Sequence, residues 1–271
     1  MEISQRRYIP QSIYNLIKIL KYKSNPVMLL GTAGLASQQY YSDFDLFTQV
    51  EENQDSNQAY NKILEIIKKM DSLNDAYFIE FKIQNKKGDK LKYNMIDEFN
   101  KNDFDKFFKD VDFIKLDFVI RLGNKFIELS IIYSFNNKKF TDEEFIQSVV
   151  KDVDEQKKEG NYFKALKRVF AIYNNKSMKD KLENTERYIY LSKFFNSDWG
   201  KLYSETANLK AIKLLLEHYD DEETIRRALL NLKDLKVEPD LNKIDSLIKK
   251  NETKYNKEAQ NVLSKLKSIK N

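Results

Sequence analysis

Asp43 and Asp45 stand one residue apart in Ser42-Asp43-Phe44-Asp45-Leu46-Phe47. In an extended strand the side chains at i and i+2 point to the same face, so the two carboxylates stand side by side. Adjacent carboxylates repel unless a cation sits between them. Magnesium suits the place, because it is held by one or two carboxylates together with substrate phosphates. Gly31 lies 12 residues before Asp43, where the apolar run Val27–Leu30 gives way to Gly31-Thr32-Ala33-Gly34. A glycine-rich turn of this kind offers backbone N–H groups to phosphates. A third acid, Asp117, interrupts Phe113-Ile114-Lys115-Leu116-Asp117-Phe118-Val119-Ile120, otherwise written for a core. Were that strand to neighbour the Asp43 strand, the three carboxylates could hold two metal ions about 3.5–4 Å apart. The plainer alternative for Asp117 is an edge-strand residue facing water.

The elements that must position these residues change character near residue 140. Before it, short apolar runs rich in β-branched and aromatic residues predict strands at Val27–Leu30, Phe44–Val50, Tyr77–Ile83, Phe113–Leu122 and Phe126–Phe135. Gly123-Asn124 predicts a hairpin turn between the last two. Helices are predicted over Gln11–Lys21 and Asn57–Met70, from apolar residues at helical spacing. Residues 85–110 are polar and carry no clear pattern. From Thr141-Asp142-Glu143-Glu144, a capping-box start followed by Phe145, Ile146, Val149, Val150 and Val153 at helical spacing, everything is written as helix, with further segments over about 161–174, 179–195, 204–219, 222–235, 241–250 and 253–269. The expected class is α+β, with a mixed sheet and flanking helices in residues 1–140 and an all-helical domain in 141–271.

Composition narrows the chemistry. The 271 residues include no cysteine, which removes disulfides, thiolate zinc sites and cysteine nucleophiles. One histidine, His218, disfavours histidine-rich metal sites and Ser-His triads, and its place near a predicted helix end suits a cap or surface role. No apolar run approaches the roughly 20 residues a membrane helix needs, and no secretory signal opens the chain. Carboxylates, lysines and arginines must carry any catalysis. The net charge of +5 equals the excess within 243–271, where eight lysines face Asp245, Glu252 and Glu258. Such a stretch is either a solvated face or a track for a nucleic-acid backbone.

The pattern of an apolar strand, Gly31-Thr32, Asp43-Phe44-Asp45 and a later strand Asp117 resembles the DNA polymerase β-like nucleotidyltransferase superfamily. The fuller wording, with Ser37-Gln38-Gln39-Tyr40 and Lys164-Ala165-Leu166-Lys167-Arg168-Val169-Phe170, is similar to the poly(A) polymerase catalytic subunits of large cytoplasmic DNA viruses. The likeness covers about residues 27–50, 113–135 and 161–173. Thr32 stands where the family has Ser or Gly, which keeps a hydroxyl but restricts the turn. The resemblance implies a nucleotidyltransferase-type, palm-like first domain and a helical second one. It implies Asp43, Asp45 and Asp117 as ligands for two magnesium (or manganese) ions, with Asp117 nearest the attacking 3′-hydroxyl. Gly31 and Thr32 would hold the β- and γ-phosphates. The implied activity is template-independent addition of adenylate from ATP to an RNA 3′ end, a step of mRNA processing in a viral, cytoplasmic setting, with room for a processivity or dimer partner.

The helix over 161–173 is expected to supply the opposite wall. Phe163, Leu166, Val169, Phe170 and Tyr173 fill one side, while Lys164, Lys167 and Arg168 form a cationic arc suited to a triphosphate, Lys164 being the first choice. Tyr40, Tyr41, Trp199 and Tyr203 lie near breaks and could stack on a base, with packing the default for each. Two rivals remain. One keeps the chemistry and changes the acceptor to a protein or small-molecule hydroxyl. The other is a non-catalytic binding partner built on the same fold.

Overall fold

The computed structural model describes residues 18, 27–30, 43–49, 55–72, 76–85, 90–93, 98–108, 111–134, 142–173, 185–195 and 197–270. Six strands form one mixed sheet: β1 (Val27–Leu30), β2 (Asp43–Gln49), β3 (Ala76–Asn85), β4 (Lys90–Tyr93), β5 (Val111–Leu122) and β6 (Lys125–Ser134), in the order β1-β2-β6-β5-β3-β4. All pairings are antiparallel except β2 with β6. A parallel pair needs a long crossover. Here that crossover contains α1 (Ser56–Asp71), β3, β4, α2 (Lys101–Phe108) and β5.

The alternation of Asp43-Phe44-Asp45-Leu46 decides which way β2 faces. Phe44 and Leu46 are fully buried and join Ile114, Leu116, Phe118, Leu129 and Ile131 in a core against α1 and α2. From α1 come Ala59, Ile63, Ile66, Ile67 and Met70, at the spacing of one helical stripe. Asp55 caps that helix in a capping box: the Gln58 N–H donates to Asp55 Oδ1 at 2.8 Å, and the Asp55 N–H to Gln58 Oε1 at 3.3 Å. Each large apolar side chain buried here contributes about 1.5–3 kcal/mol. On β2 the opposite sheet face is left to Asp43 and Asp45.

Helices α3 (Asp142–Lys158), α4 (Tyr162–Tyr173), α5 (Glu186–Phe195), α6 (Asp198–His218), α7 (Glu222–Asp234) and α8 (Leu241–Ser268) follow. Helices α4, α5 and α8 share a core around Tyr255, whose hydroxyl donates to Thr206 Oγ1 at 3.0 Å. A third core joins the halves: Ile79, Val119 and Phe126 of the sheet pack with Leu209, Ile212 and Leu215 of α6, Ala228 and Leu232 of α7, and Ile244 and Ile248 of α8. Polar ties reinforce it. The buried Phe126 N–H donates to Asn208 Oδ1 at 2.8 Å, and Arg227 Nη1 donates to Tyr77 OH at 2.9 Å.

The predicted strands all form, within one or two residues of their expected ends, and Gly123 turns the β5–β6 hairpin with φ of +62°. Residues 85–110, patternless in the sequence, contain β4 and α2. The two predicted helices 241–250 and 253–269 are one, because Ile244, Ile248, Tyr255, Ala259 and Val262 keep a single buried phase across residues 251–252. The break expected at 197–200 is shorter, since α6 starts at Asp198 and takes Gly200 into its first turn. Of the helix expected over Gln11–Lys21, only Lys18 is described, in helix; Thr141 lies outside the described residues. Among the described residues no helix is long and apolar enough to cross a membrane.

Candidate functional site

The sheet face turned away from α1 carries a field of ionisable groups in register. Asp43 lies beside Glu128 and Asp45 beside Ser130 on the parallel neighbour β6. Across β6, Ser130 lies beside Asp117 and Glu128 beside Val119 on β5. One strand spacing, about 4.8 Å, therefore separates the backbones at Asp43 and Glu128, and two spacings separate Asp45 from Asp117. The hydroxyl of Ser130 bridges that second gap, donating to Asp117 Oδ1 at 2.6 Å. Lys115 Nζ reaches the same oxygen at 3.0 Å.

From the helical half, α4 lowers Lys167 onto this face. Its ammonium stands 3.9 Å from Asp43 Oδ1 and donates to the Tyr203 hydroxyl at 2.8 Å. The rings of Phe163 and Tyr203 lie 5.6 and 5.1 Å from it, a cation–π enclosure. Burial disfavours the charged Lys167, but Asp43 and then Tyr203 outweigh burial, and its pKa is raised. Lys115 behaves alike: burial opposes its charge, while Asp117, Asp45 and Glu128 favour it and raise its pKa.

Burial first, and then Asp43, push the Asp45 carboxyl up to about 6. Burial, Asp43 and Asp117 push Glu128 up to about 7. The face thus holds more negative charge than its two lysines compensate. A cation among these carboxylates would relieve their repulsion. Among the described residues, no three Asp, Glu or His side chains converge tightly enough to ligate one ion. The ammonium groups of Lys115 and Lys167 stand at Asp117 and Asp43.

The sequence-predicted residues fall into three groups. Asp43, Asp45, Asp117 and Lys167 meet on one face. Lys164 is exposed on α4, and Arg168 pairs with Asp152 of α3 at 2.5 Å. Gly31, Thr32, Tyr40 and Tyr41 lie outside the described residues; β1 ends at Leu30, the register partner of Asp45. Tyr203, a candidate base-stacking ring, instead holds Lys167. His218 is exposed at the end of α6. Sequence reasoning missed Glu128. Its signal was a lone acid in the apolar strand Phe126-Ile127-Glu128-Leu129, the same signal that singled out Asp117.

Three solved structures resemble the whole chain. A nucleotidyl transferase encoded by a Megaviridae ORFan gene aligns over 99% of this chain and 90% of its own, with a TM-score of 0.58 and 9% identity. The M. chilensis protein Mg662, complexed with GTP, aligns over 98% and 93%, with a TM-score of 0.60 and 10% identity. The chain has a nucleotidyltransferase fold. A further Megaviridae ORFan nucleotidyl transferase structure agrees over 99% and 94%, with a TM-score of 0.55 and 11% identity. No protein-family profile matches the chain, and no curated protein sequence is detectably similar. In this nucleotidyltransferase fold the ionisable face lies where the sheet meets α4 and α6.

The raised carboxyls set a testable pH dependence. In the folded chain Asp45 and Glu128 keep protons up to about 6 and 7, above their ordinary values of 3.8 and 4.5. Between those values the native state binds protons that the unfolded chain has released, so stability is higher at low pH and is lost as pH rises through about 6–7. In EDTA, the melting temperature is expected to fall between pH 5 and pH 8, by about 2–4 °C for each kcal/mol lost. Asp45→Asn with Glu128→Gln should flatten the slope, and a profile that rises over this window in the unaltered protein would contradict the assignment.

Proposed function

We infer that this protein is a magnesium-dependent nucleotidyltransferase that takes an NTP and adds its nucleotide, as adenylate from ATP, to an RNA 3′ end. The observation that carries the reading is the register of Asp43, Asp45, Glu128 and Asp117 on one face, with Lys167 above it. The fold it shares with the Megaviridae nucleotidyl transferases, and with the Mg662 protein solved in complex with GTP, supports it.

Asp43 and Asp45 would hold the divalent ions, magnesium or manganese, and register favours Glu128 as the third carboxylate, with Asp117 steadied behind it by Ser130 and Lys115. Two ions held so would activate the attacking hydroxyl and stabilise the charge on the phosphate and its leaving group. The acceptor oxygen bonds to the α-phosphorus, the bond from that phosphorus to the β-phosphate bridge breaks, and pyrophosphate leaves. A carboxylate of the face takes the hydroxyl proton. Lys167, held by Tyr203, supplies fixed positive charge to the triphosphate; Gly31 and Thr32 would supply backbone and hydroxyl donors to its outer phosphates.

Incubation with magnesium, each labelled NTP and an RNA primer tests the reading. ATP-dependent extension of the primer is expected; label on the protein itself, with none on RNA, would shift the reading to a protein acceptor. Within the cationic arc, Lys167→Met should raise the KM for nucleotide about 10- to 100-fold, the scale of a charge-assisted hydrogen bond. Lys164→Ala and Arg168→Ala, exposed or paired on the surface, should change it less than about threefold. The reverse order of effects would return the triphosphate to Lys164.

A further inference from the structure

A cavity of about 390 Å³ opens between β6, α6 and α8. On β6 it is lined by Glu128, the register partner of Asp43, so it borders the carboxylate face. Volumes of about 300–1,000 Å³ suit small ligands, and this one suits a single nucleotide. One face of α6 serves both this cavity and Lys167. Tyr203, which holds Lys167, shares an arc of about 60° with the cavity residues Lys210, Leu214 and Glu217, at 100° per residue. Lys210 lies about 10 Å further along the helix axis than Tyr203. Lys167 thus stands at Asp43 and the cavity at Glu128, the two members of one register pair.

The face of α8 turned to the cavity carries Asp245, Ile248, Lys249 and Glu252, within about 100° of arc. Most of the charge is matched across the two helices. Lys213 meets Asp245 at 2.7 Å and Glu217 at 3.6 Å. Lys210 meets Glu252 at 2.5 Å, with 45% and 46% of the two side chains exposed. An ammonium has three donors and a carboxylate several lone pairs, so this open pair can bond a ligand without parting. Lys249 is exposed and has no carboxylate partner among the described residues. None of the lining side chains is aromatic, so the cavity offers no stacking platform for a base. Such a wall suits a hydroxyl-bearing group that carries one anionic substituent.

We propose that this cavity is the acceptor subsite, seating the 3′-terminal ribose of an RNA and reading its 2′-OH through Lys210 and Glu252. The 2′-OH, donor and acceptor at once, donates to Glu252 and accepts from Lys210. The 3′-OH of the same sugar faces Glu128, and the phosphate of that nucleotide meets Lys249. The reaction itself requires this order. In phosphoryl transfer the attacking and leaving oxygens lie roughly in line. With the triphosphate drawn to Lys167 at Asp43, the attacking hydroxyl enters from Glu128, where the cavity opens. The proposal rests on the nucleotidyltransferase reading and adds which sugar the acceptor must end in.

The test compares binding of two 5′-labelled oligoadenylates of equal length to the full chain, one ending in adenosine and the other in 2′-deoxyadenosine. Equal charge cancels attraction to lysines elsewhere, so the affinity ratio reports the terminal hydroxyl alone. The unaltered protein should prefer the ribose end about 10- to 100-fold, the scale of a hydrogen bond to a charged group. Lys210→Met together with Glu252→Gln should cut that ratio below about threefold, since both charged partners of the hydroxyl are gone. The melting temperature and the affinity for ATP in magnesium report whether the fold and the nucleotide site persist in the variant. A ratio near one in the unaltered protein, or a ratio that the double variant leaves intact, overturns the subsite. Loss of ATP affinity in the double variant overturns it as well, because the cavity would then hold the incoming nucleotide. A ribose preference in binding with no magnesium-dependent transfer from any NTP would instead strike the nucleotidyltransferase reading alone.

Discussion

Asp45→Ala should abolish nucleotide transfer while leaving a folded protein. Asp45 is half-buried beside Asp43, and desolvation with that neighbour pushes its carboxyl up to about 6, so removing it relieves repulsion rather than breaking a core. The loss of activity should reach at least about 10²–10³-fold, the scale for deleting one preorganised electrostatic group at a reacting centre. Primer extension or pyrophosphate release measures it, with Asp43→Ala alongside. The melting temperature in EDTA should hold or rise in Asp45→Ala. Full activity in either variant would sink the site. Glu128→Gln against Asp117→Asn then separates the third-carboxylate candidates, the larger loss being expected for Glu128→Gln.

Asn208→Ala should be the most damaging polar change outside that face. Asn208 is fully buried in α6, and its Oδ1 accepts from the Phe126 N–H at 2.8 Å and from Asn231 Nδ2 at 2.9 Å. Truncation leaves two buried donors without an acceptor at the point where the sheet meets the helical half. At about 1–3 kcal/mol for each unsatisfied group, the cost is about 2–6 kcal/mol. Phe126 sits two residues from Glu128, so the same change should also loosen the carboxylate row. Urea unfolding gives the first effect, and the KM for nucleotide or acceptor the second. A change below about 0.5 kcal/mol would show that the apolar core of Val119, Phe126 and Leu209 joins the halves by itself.

Much of the architecture was legible because period and composition are local. The alternation in Asp43–Leu46, the β-branched runs of β5 and β6, and the helical stripes of Ile63, Ile66, Ile67 and Met70 each name an element without knowledge of its neighbours. Residues 85–110 failed this test. Strand β4 reads Lys-Leu-Lys-Tyr, too short and polar to show a period, and it exists because β3 offers it hydrogen bonds at Phe81–Gln84. The unity of α8 was hidden for a related reason: polar Asn251 and Glu252 read as a break, and only Lys210 and the buried Tyr255 explain their place in a continuous helix.

The candidate site divides in the same way. The sequence by itself determined that Asp43 and Asp45 share a face, since a strand's period of two requires it. It also marked Asp117 as an acid out of place in an apolar strand. It could not rank Asp117 against Glu128, because that depends on strand order. The insertion of β6 between β2 and β5, parallel to the former, sets Glu128 directly beside Asp43 and moves Asp117 a strand further off. Among Lys164, Lys167 and Arg168, neighbours along α4, sequence reasoning preferred Lys164, with no means of knowing how the helix would roll. The packing of Phe163 against Tyr203 and Tyr255 sets the roll of α4. That roll brings Lys167 to Asp43 and leaves Lys164 in water: periodicity assigns a face within an element, and only packing decides what that face meets.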